Sequence, residues 1–92
     1  MSPVIRDNPA HHRYEAEIDG HLAYVVYRRE PGVITFVHTE VPKELAGRGV
    51  GSALARHVLE AARAEGVKVV PVCPFIAAWM KKHPEFDDLR RG

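Results

Sequence analysis

The chain has 92 residues, a formal net charge of +1 and a hydrophobic fraction of 46%. This length suits one domain, which we expect to span residues 1–92, and the composition is that of an ordinary soluble globular protein. A nearly neutral chain offers no strong field, so neither nucleic acid nor an anionic membrane surface is expected as a partner. The expected assembly is a monomer or a weak homodimer.

Cys73 is the only cysteine. It leaves no partner for an intramolecular disulfide and excludes a cysteine-based zinc cluster within one chain, so no metal site is predicted. The first residues contain no apolar run long enough for a signal peptide, and no stretch approaches the ~20 apolar residues of a membrane span. A cytoplasmic location is therefore the expectation.

The first half of the chain predicts an antiparallel β-meander. Residues 1–12 include two prolines and predict an irregular arm. Alternating polar and apolar residues predict a strand over 13–18, and the Asp19-Gly20 dipeptide predicts a tight turn. Strands rich in valine and aromatic residues follow over 21–29 and 33–41. Strict alternation along the last of these places His38 on the face of Phe36 and Thr39 on the opposite face.

The second half predicts two helices around one short strand. Apolar residues three or four apart predict a helix over 49–65, which Gly66 ends. A nearly all-apolar segment predicts a strand over 68–72, and a second helix is expected over 75–82, with a final turn over 84–89. The predicted fold is α+β with a mixed sheet, in which the β-meander continues into a β-α-β-α segment with a parallel crossover.

The most informative motif lies where the third predicted strand gives way to the first helix. Three glycines, Gly47, Gly49 and Gly51, alternate there, and glycine allows positive φ and close approach of a ligand to the backbone. The first helical N–H groups have no intrahelical partner and lie at the positive end of the helix dipole, which favours phosphate binding. Arg48 is expected to add a charge-assisted contact. A flexible turn that only caps the helix is the alternative.

Two other phosphate-binding motifs do not fit this loop. A Walker loop needs Lys followed by Ser or Thr after its last glycine, whereas Ser52-Ala53 follows here. The dinucleotide fingerprint needs Gly-x-Gly-x-x-Gly after a parallel strand, whereas the loop has Gly-x-Gly-x-Gly after a meander.

The run from Glu40 to Leu54 resembles the acetyl-CoA signature of GNAT-type N-acetyltransferases. The resemblance covers residues 13–89 and is more specific to a subfamily of very short, single-domain GNAT-like proteins with a Cys-Pro after the last strand. That narrower resemblance depends on four blocks in order, which are His38-Thr39-Glu40-Val41-Pro42, the glycine loop, Val70-Pro71-Val72-Cys73-Pro74-Phe75 and His83-Pro84-Glu85-Phe86.

The resemblance implies acetyl-CoA or CoA as the cofactor, with its pyrophosphate on the loop amides and its pantetheine where two parallel strands splay apart. Ala46 stands where the family pattern has Gln or Arg, which removes a polar side chain but keeps the backbone donors. The pair of helices that builds much of the acceptor groove in larger members is missing, so the amine acceptor is not predicted. The expected cofactor-binding residues are Thr39, Val41, Gly47, Arg48, Gly49, Val50, Gly51, Ser52, Pro74 and His83.

Three residues are candidates for the chemistry of acetyl transfer to an amine. Glu40 is a candidate base, directly or through water, and a solvated strand-end residue is the alternative. His38 is a further candidate, against a histidine half-buried on the sheet. Cys73 precedes a predicted helix N-terminus, which favours a thiolate, so it is a candidate acyl acceptor or general acid. An inert buried thiol is its alternative.

Three functions remain open at the level of the whole chain. The favoured one is an acetyl-CoA-dependent N-acetyltransferase acting on an amine of a small molecule or a protein lysine. A non-catalytic CoA-binding module or sensor explains the glycine loop equally well. A plain α+β interaction domain leaves that loop unexplained.

Overall fold

The structure, a computed structural model, describes residues 4–91. Its sheet contains five strands in chain order, of which the first four pair antiparallel and the last two pair parallel. Both the predicted meander and the predicted parallel crossover are therefore confirmed, as is the α+β fold class. The strands are β1 (Arg6–Asn8), β2 (Arg13–Ile18), β3 (His21–Glu30), β4 (Val33–Glu40) and β5 (Lys68–Pro71). The helices are α1 (Val50–Glu65) and α2 (Pro74–Lys81), with short 3₁₀ turns at Pro9–His11, Lys43–Leu45 and Pro84–Leu89.

The prediction of an irregular arm is wrong for β1, which pairs antiparallel with the start of β2. Backbone bonding to β2 holds this short edge strand, helped by a hydrogen bond of 3.2 Å from Asn8 Nδ2 to Glu15 Oε1. The segment carries no apolar alternation, because its side chains are polar and mostly exposed, so the sequence pattern gives no signal for it. Residues 1–3 of the predicted arm lie outside the described residues.

A β-bulge in the β3–β4 ladder reverses the predicted faces at the end of β4. Tyr27 pairs with Phe36, whereas the preceding Val26 pairs with His38, so one residue of β4 is extra. Cross-strand partners share a face, which places His38 beside Val26 and places Thr39 beside the buried Val25. The assignment of His38 to the face of Phe36 is therefore wrong, because strict alternation assumes an unbroken register.

Both α1 and α2 cover one face of the sheet, and the core lies between this face and the two helices. The predicted apolar stripe of α1 is buried, as are Ile76, Trp79 and Met80 of α2. Gly66 ends α1 in the left-handed region at φ 74°, as its position predicted. Neither helix within residues 4–91 has the length and apolar character needed to cross a membrane.

Candidate functional site

The glycine loop joins β4 to α1 with two residues in the left-handed region. Gly47 has φ 78° and Gly49, the N-cap of α1, has φ 76°. L-residues with a side chain rarely adopt this conformation, so both positions favour glycine. Gly51 lies against the Phe75 ring, since a Cβ built on it would lie 2.9 Å from Cζ of that ring, which would then have to shift.

The first turn of α1 carries amide groups without a partner. The amide of Ala53 donates to Gly49 O at 3.0 Å and is the first in α1 with a backbone acceptor. Within residues 4–91, the N–H groups of Val50, Gly51 and Ser52 have neither a backbone acceptor nor a side-chain cap. These donors lie at the positive end of the helix dipole, so the loop has the geometry that an anionic group requires.

A cavity of about 490 Å³ opens beside these amides. Seven of the predicted cofactor-binding residues line it, and they are Val41, Gly47, Gly49, Val50, Gly51, Ser52 and His83. Five further residues that sequence reasoning did not select complete the lining, and they are Leu45, Ala46, Phe75, Trp79 and Lys82. Most of these additions come from α2, whose apolar periodicity indicates a buried helix face and gives no sign of which residues reach a cavity.

Trp79 joins the two helices across the floor of the cavity. Its indole Nε1–H donates to Ser52 Oγ at 2.8 Å. The His83 ring stacks on the indole with centroids 3.5 Å apart and planes 10° apart. His83 Nδ1 lies 2.8 Å from Trp79 O, a carbonyl that only accepts, so Nδ1 carries the proton and donates. This bond fixes the orientation of the imidazole against the indole.

Arg48, Thr39 and Pro74 are predicted cofactor contacts that do not line the cavity. The guanidinium of Arg48 instead donates to Asp19 Oδ2 at 2.7 Å, in the turn between β2 and β3. Both side chains are about half exposed or more, so this ion pair contributes little to stability. The structure therefore brings Arg48 to Asp19 and not to the free amides.

Cys73 lies where β4 and β5 separate. The parallel ladder ends at the Phe36–Pro71 pair, after which the amide of Cys73 donates to Phe36 O at 2.8 Å. Cys73 is the N-cap of α2 and only 3% exposed. Its Sγ lies 3.3 Å from Thr39 Oγ1, because the bulge turns Thr39 toward the helices. The thiol is thus held beneath the gap between the two strands.

His38 and Glu40 form a pair on the outer face of the same end of β4. His38 Nε2 lies 3.0 Å from Glu40 Oε1, and both side chains are more than half exposed. The structure brings these two candidates together, but it separates them by the sheet from Thr39 and Cys73. Both pairs border the gap beyond Phe36, where β5 no longer pairs with β4.

The lining of the cavity favours an anion. Among its lining residues, all within the described part of the chain, none is Asp or Glu, and Lys82 contributes a basic side chain. The cavity also reaches Val41 and Phe75, which are sequence neighbours of Glu40 and of the Cys73-Pro74 dipeptide. The lining stops short of Glu40 and Cys73 themselves, so the cavity ends close in sequence to the gap between β4 and β5.

Comparison with known proteins identifies this combination of fold and loop. The profile of the GCN5-related N-acetyl-transferase family matches residues 13–89. The fold is similar to the NMR solution structure of a GCN5-like candidate N-acetyltransferase from Staphylococcus aureus, with a TM-score of 0.76 and 29% sequence identity over 99% of this chain and 90% of that one. The resemblance seen in the sequence motifs is thereby confirmed. The chain belongs to the GCN5-related N-acetyl-transferase family, and this membership together with the shared fold supports acyltransferase activity.

Proposed function

We propose that the chain binds acetyl-CoA in the cavity beside the glycine loop and transfers its acetyl group to an amine. The observation that carries this proposal is the set of amides of Val50, Gly51 and Ser52, which have no partner within residues 4–91 and border a cavity without carboxylates. Unpaired backbone donors at a helix start stabilise a diphosphate through hydrogen bonds and the helix dipole. The hydroxyl of Ser52, which accepts from Trp79, keeps its own proton available for a phosphate oxygen.

The acyl end of the ligand is then directed toward the gap between β4 and β5. Val41 lines the cavity directly after the end of β4, and Phe75 lines it from the first turn of α2, the helix that follows β5. Their apolar side chains suit the pantetheine arm. The edge of β4 that faces β5 has no partner strand beyond Phe36, and it supplies N–H groups near Thr39 and Val41 for the acetyl carbonyl. Supplying acetyl groups as a reactive thioester is the contribution of the cofactor.

The His38–Glu40 pair provides a base for direct transfer. A carboxylate accepts only, so Glu40 holds the Nε2 proton of a neutral His38 and leaves Nδ1 as the acceptor. His38 then removes the proton from the amine as its nitrogen bonds to the acetyl carbon and the bond from that carbon to the CoA sulfur breaks. The departing thiolate takes up a proton from solvent. In this arrangement Glu40 positions the imidazole, although it also remains a candidate base through water.

Cys73 provides the alternative, two-step route. Its sulfur bonds to the acetyl carbon, the bond to the CoA sulfur breaks, and the proton of the Cys73 thiol passes to the departing CoA thiolate. The amine nitrogen then bonds to the acetyl carbon, the bond from that carbon to the Cys73 sulfur breaks, and the amine proton passes to this sulfur to regenerate the thiol. Thr39 Oγ1, 3.3 Å from Sγ, holds the thiol in place for this route.

A CoA-binding module without turnover is the second candidate function. The burial of Cys73 favours this module over the two-step route only, because a residue 3% exposed must be uncovered before its sulfur reaches a thioester. Both functions use the same free amides, so binding alone does not separate them.

Release of free CoA thiol from acetyl-CoA, measured against a panel of amines, separates the two functions. Transfer predicts amine-dependent thiol release together with an acetylated product in the mass spectrum. Saturable binding of acetyl-CoA without release of CoA thiol in the presence of any amine would contradict the enzyme and support the binding module. Absence of acetyl-CoA binding would contradict both functions.

A further inference from the structure

The second helix places a lysine at the cavity, and the binding of a diphosphate by the glycine loop does not explain its presence there. Lys82, the C-cap of α2, lines the cavity and is exposed. Within residues 4–91 no carboxylate lies within ion-pair distance of its ammonium group. Arg48, the cation next to the glycines in sequence, is paired with Asp19 instead. The ammonium group of this cavity therefore comes from the C-terminal end of α2.

The position of Lys82 along α2 determines which part of a ligand it reaches. Phe75, in the first turn, contacts the loop at Gly51, and Trp79 contacts it at Ser52 one turn later. Lys82 lies almost one further turn away, roughly 10 Å along the axis from Phe75 at 1.5 Å per residue. The acyl end of the site is at Cys73, immediately before α2. Lys82 thus lies beyond the diphosphate, at the nucleotide end.

We propose that Lys82 binds the 3′-phosphate of the CoA ribose and makes the cavity selective for CoA over dephospho-CoA. This inference depends on the proposed function, because it assigns one anionic group of the same ligand. CoA carries a monophosphate ester apart from its diphosphate, and free amides of the loop already provide for the diphosphate. A flexible, exposed ammonium group is suited to such a terminal phosphate, since it acts as a mobile point charge.

A calorimetric comparison of CoA with dephospho-CoA tests the assignment. The variant is Lys82→Met, which keeps most of the apolar stem and removes the charge. The matched control is Lys81→Met, since Lys81 is an exposed lysine on the same helix that does not line the cavity. Both changes remove one positive charge, so any difference between them reports position and not net charge. Circular dichroism spectra establish that both variants are folded.

The expected result is a loss of affinity for CoA only, and only in the Lys82→Met variant. Lys82→Met weakens CoA binding by about fivefold, the upper range for an exposed ion pair, and leaves dephospho-CoA binding unchanged. Wild-type protein prefers CoA over dephospho-CoA by the same factor, and Lys81→Met retains this preference.

Two results would overturn the inference and leave the proposed function standing. Unchanged CoA binding in Lys82→Met shows that the lysine contacts no phosphate. An equal loss of affinity for CoA and dephospho-CoA shows that the lysine acts on the diphosphate, or only through the overall electrostatic potential of the cavity. If wild-type protein binds neither compound, the proposed function fails and the inference fails with it.

Discussion

The hydroxyl of Thr39 lies 3.3 Å from the thiol of Cys73, although 34 residues separate them in the chain. The contact exists because a bulge turns Thr39 to the helix face, while the parallel crossover brings the start of α2 to the end of β4. Two residues from the separate sequence blocks thus meet at the point where the strands part. The chemistry of the protein is expected at this junction.

Replacement of Cys73 distinguishes the two transfer routes. If the sulfur carries the acetyl group, Cys73→Ala abolishes an acetyl adduct that intact-mass spectrometry detects on wild-type protein incubated with acetyl-CoA alone. Removal of one buried sulfur also costs stability, on the order of 1 kcal/mol, so the folded fraction is measured in parallel. Amine acetylation by Cys73→Ala at the wild-type rate would instead assign the reaction to direct transfer.

Variants of the His38–Glu40 pair test which member accepts the proton. His38→Gln is expected to lower kcat by about 100-fold or more, the usual contribution of a general base. Glu40→Gln keeps an acceptor for the Nε2 proton and so is expected to lower kcat less. Binding of acetyl-CoA stays unchanged in both, since neither residue lines the cavity. A larger loss in Glu40→Gln than in His38→Gln would make Glu40 the base.

Substitution of Gly49 tests the loop with a control in the same chain. Gly49→Ala places a side chain at φ 76°, with an expected strain of about 1–2 kcal/mol and a weaker affinity for CoA. Gly32→Ala is the control, because Gly32 has φ 75° and open space like Gly49 but lies in the β3–β4 turn. Thermal denaturation should show similar losses in both variants, whereas calorimetry should show weaker binding only in Gly49→Ala. Equal affinities of the two variants for CoA would show that the glycine loop does not bind the ligand.

The features that the sequence predicts well are those with local causes. Alternating glycines at a helix start and the apolar stripe of α1 follow from backbone conformation and helical period. The faces of His38 and Thr39 depend on the β3–β4 register, so a bulge reverses them without leaving a local trace. Lys82 was missed because an exposed lysine at a helix end resembles any solvated residue. Only the packing of α2 beside the loop shows that it lines a cavity.

High pH tests the placement of β1 on the sheet. Tyr27 OH donates to Asp7 Oδ1, and burial together with this bond raises the pKa of Tyr27 from 10.0 to about 12. The folded protein therefore keeps this phenol proton at pH values where the unfolded chain ionises. The resulting stabilisation is fully present below pH 10 and is lost as the pH rises through about 12.

Phenolate absorbance measures this titration directly. Asp7→Asn should lower the pKa of Tyr27, since the carboxylate raises it. Tyr27→Phe should remove the step near pH 12, whereas Tyr24→Phe, on the other face of β3, should leave that step in place. A Tyr27 titration unchanged by Asp7→Asn would contradict the pairing of β1 with β2 in solution.

Isothermal titration with acetyl-CoA tests most directly whether the free amides at the start of α1 hold the cofactor. The account predicts saturable binding with a Kd in the micromolar range, which corresponds to about 8 kcal/mol of binding free energy. Backbone amide NMR shifts should change at Val50, Gly51 and Ser52 on saturation. Absence of heat at saturating cofactor, with those three amides unshifted, would contradict the central claim.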